Sequence, residues 1–202
     1  MSYLSRVQVD KREAARLRLR DAYAWHQVLW HAFPEKDGEL RRFLFRVDDK
    51  HEVFRVLLLS PEPPVVPDWG DWEVKEVAHG FLAHHHYLFQ VRANPTIKRV
   101  VQDAAGERKK NGRRTGIYDP EGLQTWVSRK AEQAGVEIVD CTAGPPMSSY
   151  FVKHGRRGKH IAVDFQGAMR VKDRAAFENT FRTGIGPAKA FGFGLLMLQP
   201  VA

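Results

Sequence analysis

A tyrosine and a histidine, Tyr23 and His26, stand in a stretch whose apolar residues repeat with a helical period. At about 100° per residue, Trp25, Val28, Leu29 and Ala32 define one buried face, and Tyr23, His26 and Trp30 fall on one flank within about 60° of one another. Imidazole titrates near neutrality, so His26 can take or give a proton at cellular pH, and the Tyr23 hydroxyl can position a phosphate or ribose oxygen. The pair suits attack of a ribose 2′-hydroxyl on its own phosphodiester. It equally suits a packing role, with His26 at the edge of a core, its ring satisfied by a carbonyl, and Tyr23 covering the packing. One i, i+3 pair does not separate these readings.

The cations narrow the choice. They concentrate in three stretches: Lys98-Arg99; Arg108, Lys109, Lys110, Arg113 and Arg114; and Lys153, Arg156, Arg157 and Lys159. Any one such cluster is ordinarily a solvated surface. The third is the most informative, because it combines glycines for tight turning with two guanidiniums able to hold phosphates bidentately. A basic finger of this kind suits RNA, whose deep, narrow major groove favours recognition by shape and by phosphate contact. The whole chain carries 32 Lys and Arg against 24 Asp and Glu, a net charge of +8 that draws polyanions. The run Gly184-Ile185-Gly186-Pro187-Ala188-Lys189-Ala190-Phe191-Gly192-Phe193-Gly194 sets four glycines around a lysine, which lets backbone amides approach a phosphate or makes a tight turn. It lacks the Gly-Lys-Ser/Thr order of a nucleotide-binding loop.

Other reactive side chains point to no second centre. His84, His85 and His86 are consecutive, so on a strand the middle ring faces away from its neighbours and three facial metal ligands are not expected. His31 sits among apolar residues and reads as a packed core histidine. The single cysteine, Cys141, excludes an internal disulfide and a Cys-rich metal site, and a reducing cytoplasm fits it best. No stretch resembles a signal peptide or a membrane span.

The elements that must hold these residues follow from patterning. Tyr3 to Val9 reads as a strand, and Asp21 to Phe33 as a helix capped by Asp21 and stopped by Pro34. Arg42 to Val47 and Val53 to Leu59 form a hairpin around a polar loop. Pro61 to Pro67 is a surface connection, and Trp69 to Phe81 is ambiguous. Tyr87 to Ala93 opens a second half, and Gln102 to Gly116 is loop-like. A helix begins at Asp119-Pro120, strands follow at Val136 to Cys141, Tyr150 to Val152 and His160 to Phe165, and Lys153 to Lys159 is a hairpin tip. A helix capped by Asp173 and a last strand, Leu195 to Leu198, complete the order. The repeated β, α, β, β pattern, with no glycine-rich phosphate fingerprint after the first strand, predicts an α+β chain of two tandem ferredoxin-like domains, residues 1–83 and 84–202.

Four motifs taken together resemble the CasE family, the CRISPR RNA-processing endoribonucleases of type I-E Cascade within the RAMP superfamily. They are Tyr23-Ala24-Trp25-His26-Gln27-Val28-Leu29-Trp30-His31-Ala32-Phe33-Pro34, Phe89-Gln90-Val91-Arg92-Ala93-Asn94-Pro95, Phe151 to Gly167, and Gly184 to Leu198. The resemblance implies cleavage at the 3′ base of a CRISPR repeat hairpin without metal or other cofactor, a 2′,3′-cyclic phosphate product, and retention of that product alongside other Cascade subunits. It implies catalytic roles for His26 and Tyr23. RNA contacts are expected from Lys153, Arg156, Arg157, Lys159, Arg92, Lys98 and Lys189, and from Gly184, Gly186, Gly192 and Gly194. The chain is expected to be cytoplasmic and monomeric when free. A non-catalytic subunit that only holds the hairpin is the alternative.

Overall fold

The computed structural model describes residues 1–34, 43–99 and 113–201. Two antiparallel sheets organise them. The first is built from β1 (Tyr3–Asp10), β2 (Leu44–Lys50), β3 (Val53–Ser60) and β4 (Asp71–Glu76), in the order β2-β3-β1-β4. Between β1 and β2 run two helices, α1 (Lys11–Arg16) and α2 (Ala22–Trp30). Alternation in β1 explains its placement: Ser5, Val7 and Val9 are buried while Leu4, Arg6 and Gln8 are exposed. The buried side meets Trp25 and Leu29 of α2, one helical turn apart, in a core with Phe45, Val56 and Leu58.

The second sheet runs β11-β5-β10-β8, from β5 (His86–Ala93), β8 (Val136–Ala143), β10 (Arg156–Val171) and β11 (Leu196–Val201). Helix α3 (Pro120–Gln133) joins β5 to β8, and α4 (Arg174–Thr183) joins β10 to β11. Leu123, Trp126, Val127 and Ala131 are the buried stripe of α3, and they share a core with Val91, Val163 and Phe165. A short hairpin, β6 (Thr96–Arg99) with β7 (Arg113–Gly116), and the strand β9 (Met147–Lys153) lie outside that path.

The chain is therefore two tandem ferredoxin-like units of α+β class. The second has the full βαββαβ order. The first keeps the strand order but replaces the second helix with the proline-bearing stretch Ser60 to Gly70, tied down where the Val65 amide donates to the Ala32 carbonyl at 2.8 Å. Strand β4 ends at Glu76 and β5 begins at His86, so the expected division at 83/84 falls in the segment between them.

Several sequence expectations need correction. Trp69 to Phe81 contains β4, which pairs with β1. The separate strands expected at 150–152 and 160–165 belong to a hairpin whose second arm, β10, is 16 residues long. Its first half pairs with β9 and its second half with β5 and β8. The turn is only His154-Gly155, both with positive φ (49° and 71°), the geometry of a tight two-residue hairpin turn. The loop expected at 102–116 ends in β7, while Arg108, Lys109 and Lys110 lie outside the described residues. His31, expected in the core, is an exposed C-cap. The six-residue α1, capped by Asp10, carries too short a pattern to stand out.

The two units meet through Leu44 and Leu59 of the first sheet and, from the second unit, Phe181 of α4 and Leu195 just before β11. Beside this apolar seam lies a charged one. Asp48 accepts from Arg46 Nε at 2.8 Å and from Arg55 at 2.9 Å. Asp164 takes both arms of Arg92, Nε at 3.0 Å and an outer nitrogen at 2.9 Å, and lies 3.5 Å from Arg46. Burial raises the proton affinity of Asp48, but hydrogen bonds from Arg55 and Arg46 and the nearby charges outweigh it and hold its carboxyl below the usual carboxylate range.

Candidate functional site

Asp21 sets the geometry of the site. One carboxylate oxygen accepts the amides of Tyr23 and Ala24 at 2.9 Å each, capping α2, and the other accepts the Val152 amide of β9 at 2.8 Å. A local cap thus fastens the start of α2 to the basic hairpin 131 residues away. The expected flank of α2 exists as a line of rings: Tyr23 and His26 are parallel within 9° with centroids 6.1 Å apart, and His26 and Trp30 are 5.7 Å apart. His26 is half-buried, with the Phe43 ring centred 6.3 Å from its own.

The far side of Tyr23 meets the glycine-rich loop. Phe191 stacks on Tyr23 at 6.2 Å and touches Phe151 at 4.3 Å, and His160 completes a triangle of rings at 4.8 Å from each of the two phenylalanines. Gly158 makes this possible, because a Cβ there would fall 2.1 Å from the Phe151 ring. Sequence reasoning does not single out Phe151, His160 or Phe191, although all three fall in the quoted motifs. Their signal is long-range contact, which leaves no local period.

His160 shows how burial fixes a protonation state. The Asn94 side-chain oxygen accepts from the Ile161 amide at 3.2 Å, so its NH₂ group must face His160 Nδ1, 3.2 Å away. Nδ1 is therefore an acceptor, and the ring is neutral with its proton on Nε2. Burial pushes the His160 pKa down, in the same direction.

The basic hairpin divides its charges by the two-residue period of a strand. Directly paired residues share a face, so Lys153 and Arg156 stand with Phe151, Gly158 and His160. Arg157 and Lys159 stand on the other face, with Val152 and Tyr150, the latter 66% exposed. The expected single cationic tip is thus two differently aimed pairs. Lys153 Nζ lies 5.7 Å from the centre of the Tyr23 ring, which puts a positive charge over the Tyr23–His26 flank.

The remaining expected contacts separate into two sets. Gly184, Gly186, Gly192 and Gly194 all have positive φ, between 76° and 87°, and the loop closes where Ile185 and Gly194 bond at 2.9 Å. The Gly194 amide donates to the Arg92 carbonyl at 2.8 Å, and Lys189 starts the short turn that carries Phe191. Lys98 is exposed on β6. Arg92 differs from the rest: its guanidinium is taken by Asp164 and by the Val47 carbonyl at 3.0 Å, which makes it part of the seam between sheets.

A cleft of about 680 Å³ opens between the sheets, lined by Trp25, Phe45, Arg46, Arg92, Ser149 and Phe191 among others. Cys141 is half-buried, and burial followed by the charge of Asp140 raises its thiol pKa, which disfavours the nucleophilic thiolate. Among the described residues no group of three His, Cys, Asp or Glu side chains is placed to hold a metal ion, and the backbone before β5 is held by Arg174, which donates to the carbonyls of Leu82, Ala83 and His84. No helix among them is long and apolar enough to cross a membrane.

Residues 2–200 match the family described as CRISPR associated protein. Within it, the chain is 35% identical over 208 residues to the CRISPR system Cascade subunit CasE of Escherichia coli K12, covering 98% of this chain and 100% of that protein. The chain belongs to the CasE family. A second CasE-family relative, the CRISPR-associated endoribonuclease Cse3 of Thermus thermophilus, is 30% identical over 215 residues, covering 93% of this chain and 94% of its own. The crystal structure of the CRISPR-associated protein Cas6e from E. coli K-12 superposes with a TM-score of 0.78 at 30% identity, over 98% of this chain and 100% of that one. The CasE fold is also that of the CRISPR endoribonuclease Cse3 bound to a 19-nucleotide RNA, with a TM-score of 0.81 at 24% identity over 98% and 100% of the chains.

Proposed function

We propose that this chain is an endoribonuclease that cleaves CRISPR repeat hairpins in precursor RNA without a metal ion and stays on the product as a subunit of a Cascade-type complex in the cytoplasm. The observation that carries the reading is the stacked Tyr23–His26 flank beneath Lys153. In the reaction the ribose 2′-oxygen bonds to the adjacent phosphorus, the bond from phosphorus to the 5′-oxygen breaks, and a 2′,3′-cyclic phosphate remains. A proton must leave the 2′-hydroxyl and another must reach the departing 5′-oxygen. His26 moves protons, Tyr23 orients the phosphate, and Lys153 offsets the negative charge gathering on the phosphate oxygens. Lys153, Arg156, Arg157 and Lys159 clamp the stem, and membership of the CasE family supports the choice of RNA and partners.

Purified protein incubated with repeat RNA in excess EDTA tests the proposal. Cleavage to a product ending in a cyclic phosphate is expected. Tight binding without product would make the chain a holding subunit, and cutting that requires an added divalent ion would replace the acid-base mechanism.

A further inference from the structure

A second cationic pocket lies on the other side of the glycine-rich loop. Gly186 rests against the Trp126 ring of α3, where a Cβ would come within 3.2 Å. That contact brings the loop beside Lys130, one helical turn beyond Trp126. Arg114, Lys130, Gln133, Thr180, Gly184 and Lys189 line the resulting cavity of about 360 Å³. Strand β6 adds Lys98, which pairs directly with Arg114 across the β6–β7 hairpin.

Three cations, Arg114, Lys130 and Lys189, thus line the cavity with Lys98 paired beside Arg114, and among the described residues none of the four has a carboxylate partner. The Lys130 ammonium donates to the neutral Gln133 side chain, at 2.7 Å. Like charges placed directly opposite on paired strands repel, as Lys98 and Arg114 must. Burial lowers the pKa of both lysines; Arg129 and Arg114 lower Lys130 further, and Lys130 lowers Lys189. An uncompensated, partly buried positive cluster of this kind is stabilised by an anion.

Resting on the RNA reading above, we infer that Lys98, Arg114, Lys130 and Lys189 form a phosphate-binding pocket for the unpaired strand flanking the hairpin, separate from the stem clamp. Position favours that strand. Lys189 begins the turn that ends with Phe191 on Tyr23, so a phosphate held at Lys189 belongs to RNA passing close to the Tyr23–His26 flank. Two of the four cations are half-buried, and a flexible unpaired strand can turn a phosphate inward to reach them, whereas a stem holds its phosphates on a rigid A-form surface.

Binding is measured across a salt series with two 2′-O-methylated repeat RNAs, which lack the attacking hydroxyl: the bare hairpin and the hairpin with unpaired flanks. Lys98→Gln combined with Lys130→Gln should flatten the log-log salt slope by about 1.4 for the flanked RNA, about 0.7 per lost single-strand contact. The bare hairpin should bind as before, and Lys130→Arg should restore its share of the slope. Equal losses on both RNAs, or no change on either, would overturn the assignment. If inorganic phosphate raises the melting temperature of wild type but not of the double variant, while RNA slopes stay equal, the pocket serves a free anion and the RNA assignment falls. Wild-type protein that binds neither RNA would remove the RNA reading itself, an outcome distinct from a selective failure of the pocket.

Discussion

Strand β10 carries two kinds of charge along its length. At its start, Arg156 and Arg157 are exposed, with no carboxylate partner among the described residues. Midway, Asp164 binds Arg92 with both oxygens and approaches Arg46, while Asp48 binds Arg46 and Arg55. The side chains of Arg46 and Asp48 are only 6% and 8% exposed. A net charge of +8 does not distinguish these sites. Carboxylates placed by the fold do: where Asp48 and Asp164 reach the guanidiniums, the charges join two sheets, and where none reaches, the charges stay available for a polyanion.

The contrast predicts opposite mutational signatures. The largest effect belongs to the seam: Asp48→Ala strips the buried Arg46 guanidinium of its nearest carboxylate, leaving Asp164 at 3.5 Å, and should cost about 3–5 kcal/mol in urea unfolding. Arg157→Ala, in solvent, should change stability by less than about 0.5 kcal/mol. Comparable losses at the two positions would erase the distinction.

Binding should invert that order. Arg156→Ala with Arg157→Ala should flatten the salt dependence of repeat-hairpin affinity by about 0.7 to 0.9 per lost phosphate contact while leaving the melting temperature in place. An unchanged slope would take the hairpin out of the interface.

The smallest effect concerns His160, between the two regions. Its folded-state pKa is lowered by burial, so its contribution to stability is present above the ordinary imidazole value of about 6.5 and is lost as pH falls below it toward the folded value. Unfolding midpoints should therefore drop between pH 7.5 and 5.5 by more in wild type than in His160→Phe. Parallel curves would contradict the neutral, Asn94-bonded ring.

Much of this arrangement is legible in local pattern. Asp21 before the Trp25–Leu29 stripe marks α2, and its period places Tyr23, His26 and Trp30 on one flank, as the ring contacts have it. Asp119-Pro120 and Asp173 mark α3 and α4 by their caps. The rest depends on distant partners. Local pattern breaks up β10 because Gly158 and the cations of the hairpin look like loop residues, yet Gly158 is there to admit the Phe151 ring. The β6–β7 hairpin is hidden by its basic composition, and β4 by the absence of a helix before it. The place of Arg92 in the seam is hidden because its partner Asp164 is 72 residues away, and the second bond of Asp21, to Val152, is longer-range still.

The central claim is that one imidazole on α2 moves the protons. Single-turnover cleavage of repeat RNA by His26→Ala, in EDTA and alongside an affinity measurement, tests it most directly. The rate should fall by about 10²- to 10⁴-fold with hairpin affinity retained. Cleavage at the wild-type rate would contradict the account.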